Sequence, residues 1–276
     1  MSFSRDGTRV LTLLFGTNSF ALWSVPDGQL IAVNTADPSA IEFDYADIGV
    51  PGSASDGLVG LFSSDSGAVC LWDVSPPTGG GANRPRLRSR VDLEPGDPWA
   101  IAYSLSFSPD GSKFAAIFRG VAYVYDVASL TRLGAYTSPS DWPGIAWAPS
   151  GQLVLVSWFE KQGSACAWDF TRPEAPSIVT ARVGDASRFY DWSPSGASYF
   201  VMSERRATQL GPVTFVLEER RVTDGASVRT ARLTPLESRY SLSDFKNAQW
   251  RSPDSRAFLI ANAGPGYVSA RVVLLE

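Results

Sequence analysis

Six stretches of this chain repeat one pattern: a short apolar run closed by an aromatic, a turn, and a second apolar run. They read SFSRDGTRVLTLLF from Ser2, IEFDYAD from Ile41, LSFSPDGSKFAAIF from Leu105, IAWAPSGQLVLVSW from Ile145, YDWSPSGASYFVMS from Tyr190 and AQWRSPDSRAFLIA from Ala248. The recurring aromatics are Phe3, Phe43, Phe107, Trp147, Trp192 and Trp250, at spacings of 40, 64, 40, 45 and 58 residues. A unit this small cannot bury its own apolar face, so neighbouring units must stack to make a core. The turn has a physical cause. Pro pre-sets the backbone at the first corner, Asp or Ser bonds back to it, and Gly accepts the positive φ. The run after it is rich in β-branched and aromatic residues, which suits a strand.

A second unit follows each of the first four copies: FALWSV (20–25), AVCLWDV (68–74), VAYVYDV (121–127) and ACAWDF (165–170). A turn and one more strand-like run come next: QLIAVNT (29–35), PRLRSRVDL (85–93), TRLGAYT (131–137) and SIVTARV (177–183). Each repeat therefore predicts four short antiparallel strands, named a to d, and no stretch has a helical period.

The FSPDG turn at 107–111 and the dipeptides Trp72-Asp73 and Trp168-Asp169, with degenerate copies at Tyr125-Asp126 and Trp23-Ser24, resemble the WD-repeat β-propellers. The resemblance covers essentially the whole chain and implies an all-β propeller. It would have about six blades of four antiparallel strands, strand a innermost, in a single domain 1–276. Blades are placed at approximately 1–35, 39–93, 102–138, 143–183, 187–233 and 245–276, with the longest inserts at 44–57, 75–84 and 234–244. A seven-bladed ring or a fragment of one is the alternative. The chain has no histidine. The family's Gly-His dipeptide is therefore missing, and its Asp-His-Ser/Thr-Trp tetrad cannot form. The last blade is expected to stop at its third strand, 268–276, without an outer one. A longer parent chain is the favoured explanation; a strand supplied by a partner and a tolerated incomplete blade are the others. An open apolar edge invites pairing with another chain.

The absence of histidine also excludes every triad or zinc site that needs imidazole. The net charge of −4 argues against a general nucleic-acid binder. All but three of the 24 basic residues (Lys113, Lys161 and Lys246) are arginine. Codon bias accounts for this, or a surface selected for bidentate contacts. No apolar run reaches the roughly 18 residues of a membrane span, and the two cysteines do not make a disulfide scaffold. A soluble, cytoplasmic protein is expected. Cys70 and Cys166 each precede a WD tryptophan by two residues, and read as small hydrophobes buried between blades. No paired carboxylates, phosphate loop or metal motif stands out, so no catalytic residue, metal or cofactor is assigned. The acidic segment from Asp37 to Asp56 matches no calcium loop.

One constellation rises above background. In a WD-like blade the d–a and b–c connections share one rim. Trp99 and Trp142 precede innermost strands. Arg119, the group Trp158, Phe159 and Lys161, and the pair Arg205 and Arg206 fall in b–c turns of blades 3, 4 and 5. Arg188 and Phe189 are expected to precede the innermost strand of blade 5. Trp and Arg are enriched at interface hot spots, so this rim is the expected surface for a protein or peptide partner. The bland alternative is that each Trp plugs its own blade. Arg84, Arg86, Arg88 and Arg90 would share one face of an outer strand, as an aggregation guard or as a docking stripe for an acidic partner. The pairs Glu218-Glu219, Arg220-Arg221 and Arg205-Arg206 read as solvated surface. The expected function is a non-catalytic interaction scaffold. The rivals are a small-ligand binder or enzyme using a central channel, and a structural subunit joined through the edge at 268–276.

Overall fold

The computed structural model describes residues 2–4, 7–13, 19–34, 45–48, 56–63, 66–75, 85–94, 103–137, 143–151, 153–157, 164–171, 178–182, 187–193, 195–206, 213–233, 248–251, 257–264 and 267–274. Among them are 23 β-strands and no helix. The strands form six antiparallel sheets, each meandering in chain order: β1-β2-β3-β4, β5-β6-β7-β8, β9-β10-β11-β12, β13-β14-β15-β16, β17-β18-β19-β20 and β21-β22-β23. These are called sheets one to six. The four-strand repeat expected from the sequence is therefore present five times, and the sixth sheet has three strands among the described residues.

The chain divides into two compact units: 1–147 with 170–173, and 148–169 with 174–276. In the first unit, sheet one runs β1 (Ser2–Phe3), β2 (Arg9–Leu13), β3 (Phe20–Ser24) and β4 (Leu30–Asn34). Sheet two has β5 (Tyr45–Ile48), β6 (Leu58–Phe62), β7 (Ala68–Asp73) and β8 (Arg86–Asp92). Sheet three has β9 (Tyr103–Phe107), β10 (Lys113–Phe118), β11 (Val121–Asp126) and β12 (Arg132–Thr137), followed by β13 (Pro143–Trp147).

The a–b turn behaves as its residues require. Gly111 N–H donates to the Ser108 carbonyl at 2.9 Å, with Gly111 at φ 64. Ser108 Oγ accepts from Lys113 N–H at 3.0 Å. The same closure recurs at Ser4–Gly7, Ala148–Gly151 and Ser193–Gly196, each with an N–H to carbonyl distance of 2.9 Å. Burial pushes the Asp110 carboxyl up, but hydrogen bonds from the Ser108 and Ser112 hydroxyls and the Ser112 N–H, with the Lys113 charge, bring it down to about 2.

Two cores separate the first three sheets. Leu11, Phe20, Leu22 and Ala32 of sheet one pack with Val59, Leu61 and Cys70 of sheet two. Leu58, Phe62, Val69 and Leu71, on the other face of sheet two, pack with Phe107, Phe114, Ala116, Phe118, Tyr123 and Tyr125 of sheet three. Sheet two is covered on both sides, and β6 is buried along its length; its run LVGLF accordingly shows no alternation. Each fully buried Leu or Phe contributes about 1.5–3 kcal/mol. Phe114 and Tyr125 stack with ring centroids 5.3 Å apart. Gly67 sits at φ 70, and a Cβ there would lie 2.5 Å from the Phe118 ring. Cys70 is buried and free, as expected, and burial pushes its thiol up. Trp147 is 8% exposed, and its Nε1–H donates to the Ser106 carbonyl at 3.1 Å.

Two expectations about sheet two are corrected. Its first strand lies at Tyr45–Ile48, inside what reads as an insert. Register places Ile48 opposite Val59, as Phe107 stands opposite Phe114 and Phe3 opposite Val10. Ile48, not Phe43, therefore fills the recurring position; Phe43 lies outside the described residues. The arginine stripe is also broken. Leu87 pairs with Trp72 and Ser89 with Leu71, so Arg88 is an extra residue in a β-bulge. Directly opposed residues share a face. Arg86, opposite Asp73, is therefore on the other face from Arg90, opposite Cys70.

In the second unit, β14 (Leu153–Ser157), β15 (Ser164–Trp168) and β16 (Ile178–Arg182) precede β17 (Ser187–Trp192), β18 (Ser198–Arg206), β19 (Val213–Arg221) and β20 (Ser227–Leu233). Sheet six comprises β21 (Ala248–Arg251), β22 (Ala257–Gly264) and β23 (Tyr267–Leu274). Trp192 is 1% exposed and meets the Tyr199 ring edge-on at 6.3 Å.

Candidate interaction surfaces

In each sheet the start of a, the end of b, the start of c and the end of d lie at one end, because the strands alternate in direction. In sheet three that end carries Arg119. Phe118 pairs with Val121, leaving Arg119 and Gly120 as a two-residue hairpin turn with φ of 48 and 77. Both central residues at positive φ make this the turn whose twist matches the flanking strands, and it favours Asn-Gly. Arginine there is strained. Its guanidinium lies 5.1 Å from the Phe118 ring centroid, a cation–π contact.

In sheet five the same end carries Arg188 near the start of β17, and Arg205 and Arg206 at the end of β18. β18 runs seven residues beyond Tyr199, whereas β10 runs four beyond the equivalent Phe114. At about 3.3 Å per residue, the β18–β19 hairpin projects roughly 10 Å farther from its sheet. Arg205 and Arg206 pair with Thr214 and Val213 at its tip. Trp99, Trp142, Trp158, Phe159 and Lys161 lie outside the described residues.

Sheet five also holds what sequence reasoning missed. Register aligns Trp192, Tyr199 and Arg220 as it aligns Phe107, Phe114 and Tyr125. Arg220 thus stands where the first four sheets carry the c-strand aromatic. Its Nη2 donates to Glu218 Oε2 at 2.7 Å, and its Nη1 to the Gly225 carbonyl at 3.1 Å. Glu219, on the opposite face, accepts from Arg229 Nε and Ser198 Oγ. Glu218 and Glu219 are 5% and 7% exposed, so both belong to buried ion pairs rather than to solvated surface.

The sequence-based exclusion of the full tetrad leaves part of it standing. In sheet one, Trp23 Nε1–H donates to Thr12 Oγ1 at 3.0 Å, and Thr12 Oγ1 donates to the Ala21 carbonyl at 3.2 Å. In sheet two the register puts Leu61 at the place of Thr12, and Trp72 Nε1 has no hydrogen-bond partner.

On β8, Arg86, Arg88 and Arg90 are exposed, and Arg84 lies outside the described residues. Arg90 Nη2 pairs with Asp92 at 2.7 Å. No cluster of three or more His, Cys, Asp or Glu fit to hold a metal occurs among the described residues. Of the segment from Asp37 to Asp56, only 45–48 and 56 are described. No helix among the described residues is long and apolar enough to cross a membrane.

No family model matches the sequence. No curated protein matches it either. Solved structures do. Kuenenia stuttgartiensis hydrazine synthase aligns over 98% of this chain and 74% of its own, at TM-score 0.69 and 12% identity. A chain of the mitotic checkpoint complex aligns over 99% of this chain and 72% of its own, at TM-score 0.64 and 15% identity. The Myceliophthora thermophila Cps50 (Swd1) β-propeller domain aligns over 98% and 82%, at TM-score 0.60 and 12% identity. Four-stranded meanders, recurring Ser–Gly turns, the surviving Thr–Trp bond and these likenesses agree: the chain folds as a divergent β-propeller of the WD-repeat kind.

Proposed function

We propose that the protein is a non-catalytic interaction module, built as one propeller domain and working in the cytoplasm. It binds a protein or peptide partner on the rim of blades 3 to 5. The contact residues are Trp99, Arg119, Trp142, Trp158, Phe159, Arg188, Arg205 and Arg206. The observation that carries this reading is Arg119, held at φ 48 on a turn that would accept Asn or Gly without strain. Strained positions of this kind cluster where a side chain is needed for function. The projecting hairpin carries Arg205 and Arg206 at the equivalent end of its own sheet, which supports the reading. The origin of one structural likeness, a chain in the mitotic checkpoint complex, supports an interaction module in general. Stiff sheets hold such loops with little ordering cost on binding.

The test is site-specific photo-crosslinking in cells, with a crosslinker at position 119, 205 or 129. Ser129 is exposed in the c–d turn, at the opposite end of sheet three. Shared protein adducts from 119 and 205, absent from 129, would support the rim. Equal labelling from all three would refute it.

A second reading rests on sheet six. Its third strand β23 (Tyr267–Leu274) is the last in the sheet's order, and a partner strand could join it there. Self-association that a proline at Val272 abolishes would favour this joint over the rim.

A further inference from the structure

We infer that the outer edge of sheet two, strand β8, accepts an extended acidic segment of another protein by strand addition. This surface is separate from the rim.

β8 is last in the order β5-β6-β7-β8, so its outer backbone groups have no strand partner in the sheet. Such an edge is a template for pairing. Arg86 and Arg88 are exposed and form no ion pair among the described residues. Asp73 stands opposite Arg86 in the register, but its carboxylate accepts the Ser75 N–H at 2.9 Å. The other outer-strand arginines with described side chains are engaged. Arg90 pairs with Asp92, Arg132 with Glu94 at 3.0 Å, and Arg229 with Glu219. Between the two free guanidiniums sits Leu87, 51% exposed.

Alternation along β8 decides the chemistry of the occupant: Arg86 lies on one face of the sheet and Leu87 on the other, with Arg88 added by the bulge. A strand laid along β8 would present alternate side chains to these two faces. Carboxylates on one side meet Arg86, with Arg88 at the bulge beside them, and apolar groups on the other side cover Leu87. Guanidinium forks match carboxylates in two-point geometry. The fit is therefore to a segment alternating acidic and apolar residues. Outer strand β4 offers the contrast. It too exposes apolar residues, Leu30 at 49% and Val33 at 43%, but its sequence LIAVN has no charge to select a partner.

The experiment uses the full chain and a fluorescein-labelled (Glu-Val)₄ peptide, followed by anisotropy. Amide hydrogen exchange of the wild type is measured with and without the peptide. The expected result is saturable binding that weakens at least tenfold in Arg86→Glu/Arg88→Glu, survives in Arg86→Lys/Arg88→Lys, and protects amides within 86–91. An N-methylated backbone in the peptide should abolish it, and Arg119→Asn should leave it unchanged. Binding that ignores the charge reversal would overturn the proposal. So would protection elsewhere, absence of binding, or displacement by polyuridine with no backbone dependence. Loss of binding on rim substitution alone would transfer the peptide to the rim and refute the β8 site.

Discussion

The Thr–Trp bond of sheet one and its absence from sheet two make a paired test of what this hydrogen bond contributes. In sheet one, Thr12→Val keeps shape but removes the acceptor of Trp23 Nε1–H and the donor to Ala21. Trp23 is half-buried, so water meets part of the lost demand. A net hydrogen bond contributes about 1 kcal/mol, and an orphaned buried donor costs about 1–3. The expected loss is about 1.5 kcal/mol, a fall in Tm of roughly 3–5 °C for a chain of this size. In sheet two, Leu61 is 0% exposed and stands where Thr12 stands. Leu61→Val loses about one methylene of packing, about 1 kcal/mol. Leu61→Thr loses the same volume and gains an acceptor for Trp72 Nε1, which has none now. In an ordinary apolar site, threonine is worse than valine by the cost of an unpaired hydroxyl, about 1–3 kcal/mol. Here the two variants should be equal, or threonine the better. Urea unfolding by circular dichroism measures both, and a Thr12→Val/Trp23→Phe cycle isolates the coupling. If Leu61→Thr is less stable than Leu61→Val by more than about 1 kcal/mol, the sheets do not share the tetrad geometry and the argument fails.

Gly67→Ala combines a positive φ with a Cβ set against the Phe118 ring; it should destabilise by about 3 kcal/mol, read by urea midpoint. Arg229→Met leaves the Glu219 carboxylate buried with only Ser198, so it should cost about 2–3 kcal/mol. Glu219→Gln/Arg229→Met should recover at least half of that, which a double-mutant cycle shows directly. Asp110 has a folded pKa of about 2 against an ordinary 3.8, so its contribution is present above pH 4 and lost as pH falls towards 2. Asp110→Asn should flatten that part of the acid limb without moving the alkaline one. Arg119→Asn relieves the turn and loses one exposed cation–π contact, so its Tm should equal or slightly exceed that of the wild type.

The strand pattern was readable because its signals are local. Ser-Pro-Asp-Gly closes a turn through its own atoms, and the aromatic before it has only one buried direction in a stacked sheet. Misplacement began where a local signal was absent. Ile48 takes the register position of Phe107 with no aromatic ring, and the apolar-aromatic run ending at Phe43 drew the strand to the wrong place. Burial of Glu218 and Glu219 was illegible for another reason. A carboxylate is read as exposed unless its partner is known; Arg220 lies two residues along the same strand as Glu218, and Arg229 is brought opposite Glu219 only by the register of β19 and β20. The rim is the least legible part. Its tryptophans lie outside the described residues, and Arg119 declares itself only through its φ.

The broken arginine stripe shows how one recurring irregularity defeats a period-two argument across the fold. The outer strand carries an extra residue at matching positions: Ile31 in sheet one, Arg88 in sheet two, Leu133 in sheet three and Val228 in sheet five. In sheet four, two residues between Ile178 and Ala181 oppose Cys166 alone. Bulges strengthen local twist and deter edge-to-edge pairing. Each also exchanges the faces of whatever precedes it. Leu30, Leu87, Leu133 and Val228, at or beside these bulges, are among the exposed large hydrophobics of the described residues. Continuous alternation cannot account for them, because it would turn some of them inward. A bulged edge lets a sheet bury its regular half against its neighbour while displaying both a charge and an apolar group at its outer corner. What that corner displays then differs from sheet to sheet. Leu30 of sheet one faces outward among uncharged neighbours, whereas Leu87 of sheet two is flanked by two arginines that form no ion pair among the described residues. The recurring device protects edges in general, and the residue placed on it decides which edge can still choose a partner.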